Sequence, residues 1–102
     1  MPTVEKRQLV PITDDARRAI REVRGRVGLS RRVLEQRAKL GKGYVKGVEL
    51  GRTQSAEVVR FKRLLQVVQQ VATHGQVPTK VTAGIARALK SLERQGPKGT
   101  TK

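Results

Sequence analysis

The chain has 102 residues and a formal net charge of +15, from 23 Lys and Arg against 8 Asp and Glu. Cysteine is absent and histidine occurs once, at His74, so the sequence offers no disulfide and no metal or catalytic cluster. No apolar run approaches the ~20 residues of a membrane span. We therefore expect one small, non-enzymatic domain, soluble in the cytoplasm, with no membrane contact, cofactor, metal or small-molecule ligand.

The positive charge indicates a polyanionic partner. So basic a surface repels itself unless it meets one, and the candidates are nucleic acid, then an anionic membrane, then an acidic protein. Aromatic residues are limited to Tyr44 and Phe61, which disfavours modules that stack single-stranded bases on exposed rings. Residues 17–63 contain 15 basic and four acidic side chains, so the positive field is centred there.

Both ends of the chain are predicted to lack stable structure. Residues 1–12 form a flexible N-terminal arm in this prediction, because Pro2 and Pro11 disfavour helix and the segment has no helical period. A short extended piece at residues 8–12 also fits. Residues 96–102 are rich in Gly, Thr and Lys and are predicted to be a disordered tail.

A first helix at about residues 14–26 is predicted from an N-cap at Thr13 and acidic residues in the first turn. One face is apolar, at spacings of three and four residues, and the opposite face is basic. The apolar face carries Ala16, Ile20, Val23 and Val27, and the basic face carries Arg17, Arg18, Arg21 and Arg24. The first face should therefore be buried and the second exposed.

Two short helices follow, at about 30–38 and 42–50. Ser30 is predicted to cap the first of them, residues 39–41 form the turn, and Gly51 ends the second. On a helical wheel the valines of the second short helix face the core. Its opposite face carries Lys42, Gly43, Lys46, Gly47 and Leu50. Such a face suits the DNA major groove, because glycine permits close approach of the backbone and lysine can donate to guanine. The alternative is that the glycines form a loop and the lysines a solvated face.

Two longer helices, at about 55–73 with Ser55 as the N-cap and at about 80–95, complete a predicted all-α fold. Residues 64–79 include no Lys, Arg, Asp or Glu. In so charged a chain this favours a homodimer interface, with packing against the first and fifth helices as the alternative. The predicted interface residues are Leu64, Leu65, Val68, Val71, Ile85, Leu89 and Leu92.

Residues 28–52 resemble the helix-turn-helix of the Cro/C1-type, or lambda-repressor-like, DNA-binding domains. The matching residues are Gly28, Leu29, Ser30, Leu34, Leu40, Tyr44, Val45, Val48, Glu49 and Gly51. The likeness extends as a helix pattern over about residues 13–72. With the fifth predicted helix we expect a five-helix lambda-repressor-like domain, with a DNA-binding unit at 13–74 and a C-terminal helix at 75–95 that is predicted to dimerise. The family prefers Ala where Glu35 stands, and Gly where Lys39 stands because the turn needs a left-handed residue. A Glu35–Lys39 ion pair is expected here.

The resemblance also implies a role for each matching position. Base contacts are expected from Lys42, Gly43, Lys46 and Gly47, and phosphate contacts from Arg31, Tyr44 and Arg52. Beyond the resemblance, we expect Leu50 to meet a thymine methyl group, and Arg24, Arg32 and Lys39 are further candidates for phosphate contacts. Glu49 is expected to be a structural partner of Arg37 and not a DNA contact.

Together these features predict a sequence-specific regulator that binds double-stranded DNA and associates with the nucleoid. Its simplest form is a homodimeric repressor on a palindromic operator. Two alternatives remain open: an antitoxin or plasmid-maintenance adaptor that acts through a protein partner, and an architectural DNA binder without sequence preference. A co-purifying acidic partner would indicate the first, and equal affinity for random and cognate DNA the second.

Overall fold

The computed structural model describes residues 9–95, and in this part of the chain the fold is mainly helical. Five helices and two short strands follow in the order β1, α1, α2, α3, β2, α4, α5. Their bounds are Leu9–Pro11, Asp14–Val27, Arg31–Arg37, Tyr44–Glu49, Ser55–Glu57, Val58–His74 and Thr79–Gln95. The five predicted helices are therefore confirmed, with shifted ends. The predicted arm up to residue 8 and the predicted tail lie outside the described residues.

The two strands are the main departure from the all-α prediction. β1 and β2 pair antiparallel, with Val10 opposite Ala56. Val10 and Ile12 are buried, so the predicted flexible arm is wrong at these residues. The alternative of a short extended piece at residues 8–12 is confirmed for Leu9–Pro11. Ser55 lies in β2 and does not cap α4, which begins three residues later than predicted. Alternation of buried and exposed residues over only three positions is too short a pattern to identify a strand from sequence.

The helix ends follow the local sequence. The Thr13 hydroxyl accepts a hydrogen bond from the Ala16 amide, and the Ser30 hydroxyl accepts one from the Val33 amide. Two of the three predicted N-caps are thus confirmed. Gly28 ends α1 in the left-handed conformation, with φ of 70°. An L side chain rarely adopts that conformation, so a glycine at this position stops the helix at little energetic cost.

The core is centred on α1, α4 and α5, which pack against one another. Its largest fully buried side chains include Phe61, Ile20 and Leu64. α5 therefore belongs to the same core as α1, and its predicted role in dimerisation stays a prediction. No described helix has the length and apolar character needed to cross a membrane.

The predicted dimer interface is wrong for six of its seven residues. Leu64, Leu65, Val68, Ile85, Leu89 and Leu92 are buried within the single chain, and Val71 is half-buried. They contact α1, α4 and α5 of their own chain, which was the alternative arrangement. Because the six buried side chains are already removed from solvent within the protomer, they stabilise the protomer and are not free to meet a second chain.

Candidate nucleic-acid interface

α3 divides cleanly into a buried and an exposed side. Val45 and Val48 are fully buried, as the helical wheel predicted. Lys42, Lys46 and Leu50 are exposed, and Leu50 keeps 48% of its surface in solvent. Three of the five predicted base-contacting residues therefore have side chains on one accessible face at or beside a short helix.

The N-terminal end of α3 is held by a carboxylate from α2. Glu35 is 2% exposed, and its Oε2 accepts a hydrogen bond of 3.0 Å from the Val45 amide. Gly43, at the N-cap position, has no side chain to do this. The predicted ion pair between Glu35 and Lys39 is wrong, because the cation next to Glu35 is Arg32, at 3.5 Å. Glu35 therefore satisfies an otherwise unpaired helix amide, which an alanine could not.

The C-terminal end of α3 is held by an arginine from α1. Arg17 donates from Nε to the Val48 carbonyl at 3.1 Å and from Nη2 to the Thr53 carbonyl at 3.3 Å. The side chain is 17% exposed, so its predicted place on the solvent face of α1 is wrong. A guanidinium at the carbonyl end of a helix also interacts favourably with the helix dipole. Arg17 thus fixes α3 and the following loop relative to α1.

A buried ionic cluster lies beside these contacts. The Glu49 side chain is fully buried, and Arg24 donates to its two oxygens at 2.7 and 3.0 Å. Arg31 donates from Nε to Oε1 of the same carboxylate at 3.0 Å. The hydrogen bond to Glu49 raises the pKa of Arg24, against an opposing effect of burial. Glu49 is structural, as expected, but its partners are Arg24 and Arg31, and the expected partner Arg37 is wrong.

This cluster removes one predicted phosphate contact and supports another. Arg24 is committed to Glu49 and only 20% exposed, so its assignment to phosphate is wrong. Arg31 remains 34% exposed, and among the described residues its terminal nitrogens form no hydrogen bond. A guanidinium held through Nε presents two parallel N–H groups, which is the geometry that phosphate oxygens accept.

The turn between α2 and α3 contains a left-handed residue that is not glycine. Lys39 has φ of 57°, as the resemblance implied for this position, and its side chain is exposed. A left-handed residue with a Cβ costs on the order of 1 kcal/mol. Arg63 of α4 donates to the carbonyls of Ala38 and Lys39, at 3.1 and 3.0 Å. Arg63 therefore holds the strained turn against the core.

Gly47 does not lie on the DNA-facing side of α3, so its predicted base contact is wrong. A Cβ at this residue would lie 2.9 Å from the Thr53 hydroxyl oxygen. Its carbonyl accepts hydrogen bonds from the amides of Arg52 and Thr53. Gly47 therefore faces the loop that folds back over α3. A glycine is needed here because the loop, and not a DNA surface, leaves no room for a side chain. Gly43 is exposed and left-handed, with φ of 88°, and fits its predicted location.

Tyr44 does not reach the surface with its polar atom. Its hydroxyl is buried and has no hydrogen-bond partner among the described residues. Burial raises the pKa of Tyr44, and the positive charge of Arg60 partly offsets that effect. The predicted phosphate contact through this hydroxyl is therefore wrong for this conformation.

The remaining predicted residues form a basic surface around α3. Exposed or half-exposed cations lie on α2, in the turn, before and on α3, and just after it: Arg31, Arg32, Lys39, Lys42, Lys46 and Arg52. Prediction from sequence missed the positioning residues Glu35, Arg17 and Arg63, because each acts across helices and leaves no local pattern. Comparison of the chain with protein-family models, with curated proteins and with solved structures found no match.

Proposed function

We propose that this protein is a sequence-specific regulator that binds double-stranded DNA through α2 and α3, arranged as a helix-turn-helix. The observation that carries the proposal is the anchoring of α3: Glu35 holds its first turn and Arg17 its last. Between these anchors Lys46 is exposed. A six-residue helix has little stability of its own, so anchoring at both ends indicates that its orientation matters.

In the proposed complex α3 enters the major groove. Lys42 and Lys46 donate to base edges, and Leu50 contacts a thymine methyl group. The backbone at Gly43 approaches the groove closely because no side chain intervenes. Base edges carry the sequence information, and a lysine can donate to guanine O6 and N7.

Phosphate contacts come from the cations that border α3. Arg31 is oriented by Glu49 before DNA arrives, so little side-chain entropy is lost on binding. Arg32, Lys39 and Arg52 are exposed and add the sequence-independent part of the affinity. Two copies on a palindromic operator would place α3 in successive major grooves about 34 Å apart, where they could block transcription.

Selection of bound sequences from a random DNA pool tests the proposal directly. We expect an enriched palindrome, with two half-sites whose centres are one helical turn apart. Recovery of an unenriched pool at every salt concentration would contradict sequence-specific binding and would favour an architectural role.

Two alanine substitutions then distinguish base contacts from phosphate contacts on the selected DNA. Lys46→Ala should reduce discrimination between selected and random DNA by about 1–3 kcal/mol, because it removes a base contact. Arg52→Ala should weaken binding to both DNAs about equally. Fluorescence anisotropy titrations with the two duplexes give both values, and an exchange of the two behaviours would show that α3 is not the reading helix.

A further inference from the structure

The C-terminal half of α4 and the turn after it present an uncharged surface to solvent. The stretch Leu64–Thr79 has no Lys, Arg, Asp or Glu. Its leucines point into the core, while Gln66, Gln70, Thr73 and His74 are exposed. These four residues, with the half-buried Val67 and Val71, are called the neutral α4 surface below.

The lack of charged side chains distinguishes the neutral α4 surface from the rest of this basic molecule. Two copies of a chain with net charge +15 repel each other, and a contact that brings cations together costs several kcal/mol. α1, α2 and α3 all expose Lys or Arg side chains. The neutral α4 surface extends over about two helical turns without one, so two copies can approach there without bringing cations of this surface together.

The chemistry of the neutral α4 surface also fits a copy of itself. In a twofold contact the same patch meets itself, so each side must supply both donors and acceptors. Glutamine amides and threonine hydroxyls do both, whereas a lysine or a carboxylate does only one. Val67 and Val71 are half-buried against the core and add apolar area beside the amides.

The shape of the surface supports the same pairing. Gln70 and His74, one turn apart on α4, form a ridge between two shallow grooves. The groove towards α5 is lined by uncharged residues, among them Val77, Thr79 and Thr82. The groove towards α1 and α2 is lined by Val27, Leu29 and Arg37, so the groove towards α5 is the uncharged one of the two. A ridge that borders an uncharged groove can pack against its twofold copy, ridge into groove.

We propose that a second copy of this chain docks on the neutral α4 surface, with the ridge of Gln70 and His74 at the twofold axis. The inference rests on the proposed function, because a palindromic operator requires two copies, but its evidence is the surface itself. It replaces the buried leucines as the interface and leaves the basic surface around α3 free for DNA.

Sedimentation equilibrium of the full chain without DNA tests this interface. We expect a reversible dimer that Gln70→Arg weakens at least about tenfold in dissociation constant, because two cations then meet at the axis. Ser91→Arg is the matched control, because it adds the same charge at a different place. Ser91 is exposed on α5 and lines neither groove. The Ser91→Arg variant should leave the dimer unchanged. A monomeric wild-type chain, or equal dimerisation of all three proteins, would overturn the proposal.

Spin labels give a second readout that does not depend on repulsion. The chain has no cysteine, so Gln70→Cys and Ser91→Cys each introduce a unique thiol. Labels at residue 70 should show a short intermolecular distance and labels at 91 a much longer one, and the reverse order would overturn the proposal. The two proposals can fail separately. If Gln70→Arg dissociates the dimer but the wild-type chain binds random and selected DNA with equal affinity, the interface is supported and the sequence-specific regulator is contradicted.

Discussion

At the scale of single residues, Glu49 shows how the protein accommodates a buried charge. Glu49 is completely buried, yet both of its oxygens accept hydrogen bonds from guanidinium groups of Arg24 and Arg31. Removing one partner of such a pair typically costs about 3–5 kcal/mol, because an uncompensated charge is left in the interior. That is a large fraction of the stability of a domain of this size. The cluster therefore fixes α3 to α1 and α2 in one geometry.

Tyr44 provides the opposite case, a buried polar atom without a partner. Tyr44→Phe should leave stability unchanged or raise it by up to about 1 kcal/mol, because it removes an unsatisfied hydroxyl and preserves the ring. It should also leave DNA affinity unchanged, since the hydroxyl is not at the surface. Urea unfolding and anisotropy titration measure the two effects. A clear loss of DNA affinity would show that the hydroxyl reaches phosphate in the complex.

The raised pKa of Tyr44 gives this prediction a pH dependence. Burial favours the protonated form in the folded state, so the folded pKa lies above the unfolded one. The contribution to stability is therefore full below the unfolded pKa and is lost as the pH rises through the folded pKa. The chain has one Tyr and no Trp, so tyrosinate absorbance reports this group alone. The Tyr44→Phe variant shows how much of the alkaline loss comes from other groups.

At the scale of elements, α3 is a helix that its neighbours hold in place. It has six residues, includes a glycine and begins without a side-chain cap of its own. Such a segment is not stable by propensity. Glu35 from α2 and Arg17 from α1 satisfy its two ends, and Arg63 from α4 holds the turn that precedes it. Three different helices therefore determine the direction in which Lys46 points.

Glu35 is the contact whose removal tests this coupling. Glu35→Ala should destabilise the protein by about 1–3 kcal/mol, because the Val45 amide loses its buried acceptor. Glu35→Gln keeps an acceptor oxygen and should cost less. Chemical unfolding gives both values, and amide hydrogen exchange should show the largest loss of protection in α3.

Glu22→Ala is the matched control for that experiment. Glu22 pairs with Arg26 one turn away, and both side chains are about half exposed. Exposed pairs of this kind contribute little, typically less than about 0.5 kcal/mol. Equal destabilisation by Glu22→Ala and Glu35→Ala would mean that the Glu35 contact to α3 is not what stabilises the helix.

The same elements show what the sequence could and could not predict. Thr13, Ser30 and Gly51 act on their own helix ends, so the five helices and the valine side of α3 were predictable from local pattern. β2 was not predictable, because three residues carry too little periodicity, whereas an extended piece was predicted where β1 lies. The ionic partners of Glu49 were also missed, since Arg24 is 25 positions away and only the packing of α1 on α3 brings the two together.

At the scale of the whole molecule, the arrangement of charge separates two surfaces. Exposed cations surround α3, while the C-terminal half of α4 presents amides and hydroxyls. A polyanion meets the first surface with little competition from carboxylates, because the nearby Glu35 and Glu49 are buried and already paired. At the proposed interface a second copy meets mainly amides and hydroxyls. Under the two proposals, one small chain binds DNA and itself at the same time.

The salt dependence of DNA binding reports both the number of phosphate contacts and the number of chains at each site. The logarithm of affinity should fall linearly with the logarithm of salt concentration, with a slope of about 0.9 for each phosphate contact. Arg52→Ala should reduce that slope by about 0.9 if one chain binds each site and by about 1.8 if two do. Lys90→Ala, an exposed change on α5 that removes the same charge, should leave the slope unchanged. Anisotropy titrations from 50 to 200 mM salt measure it. An equal reduction by both variants would mean that affinity follows total charge, and the phosphate contacts would then not be localised around α3.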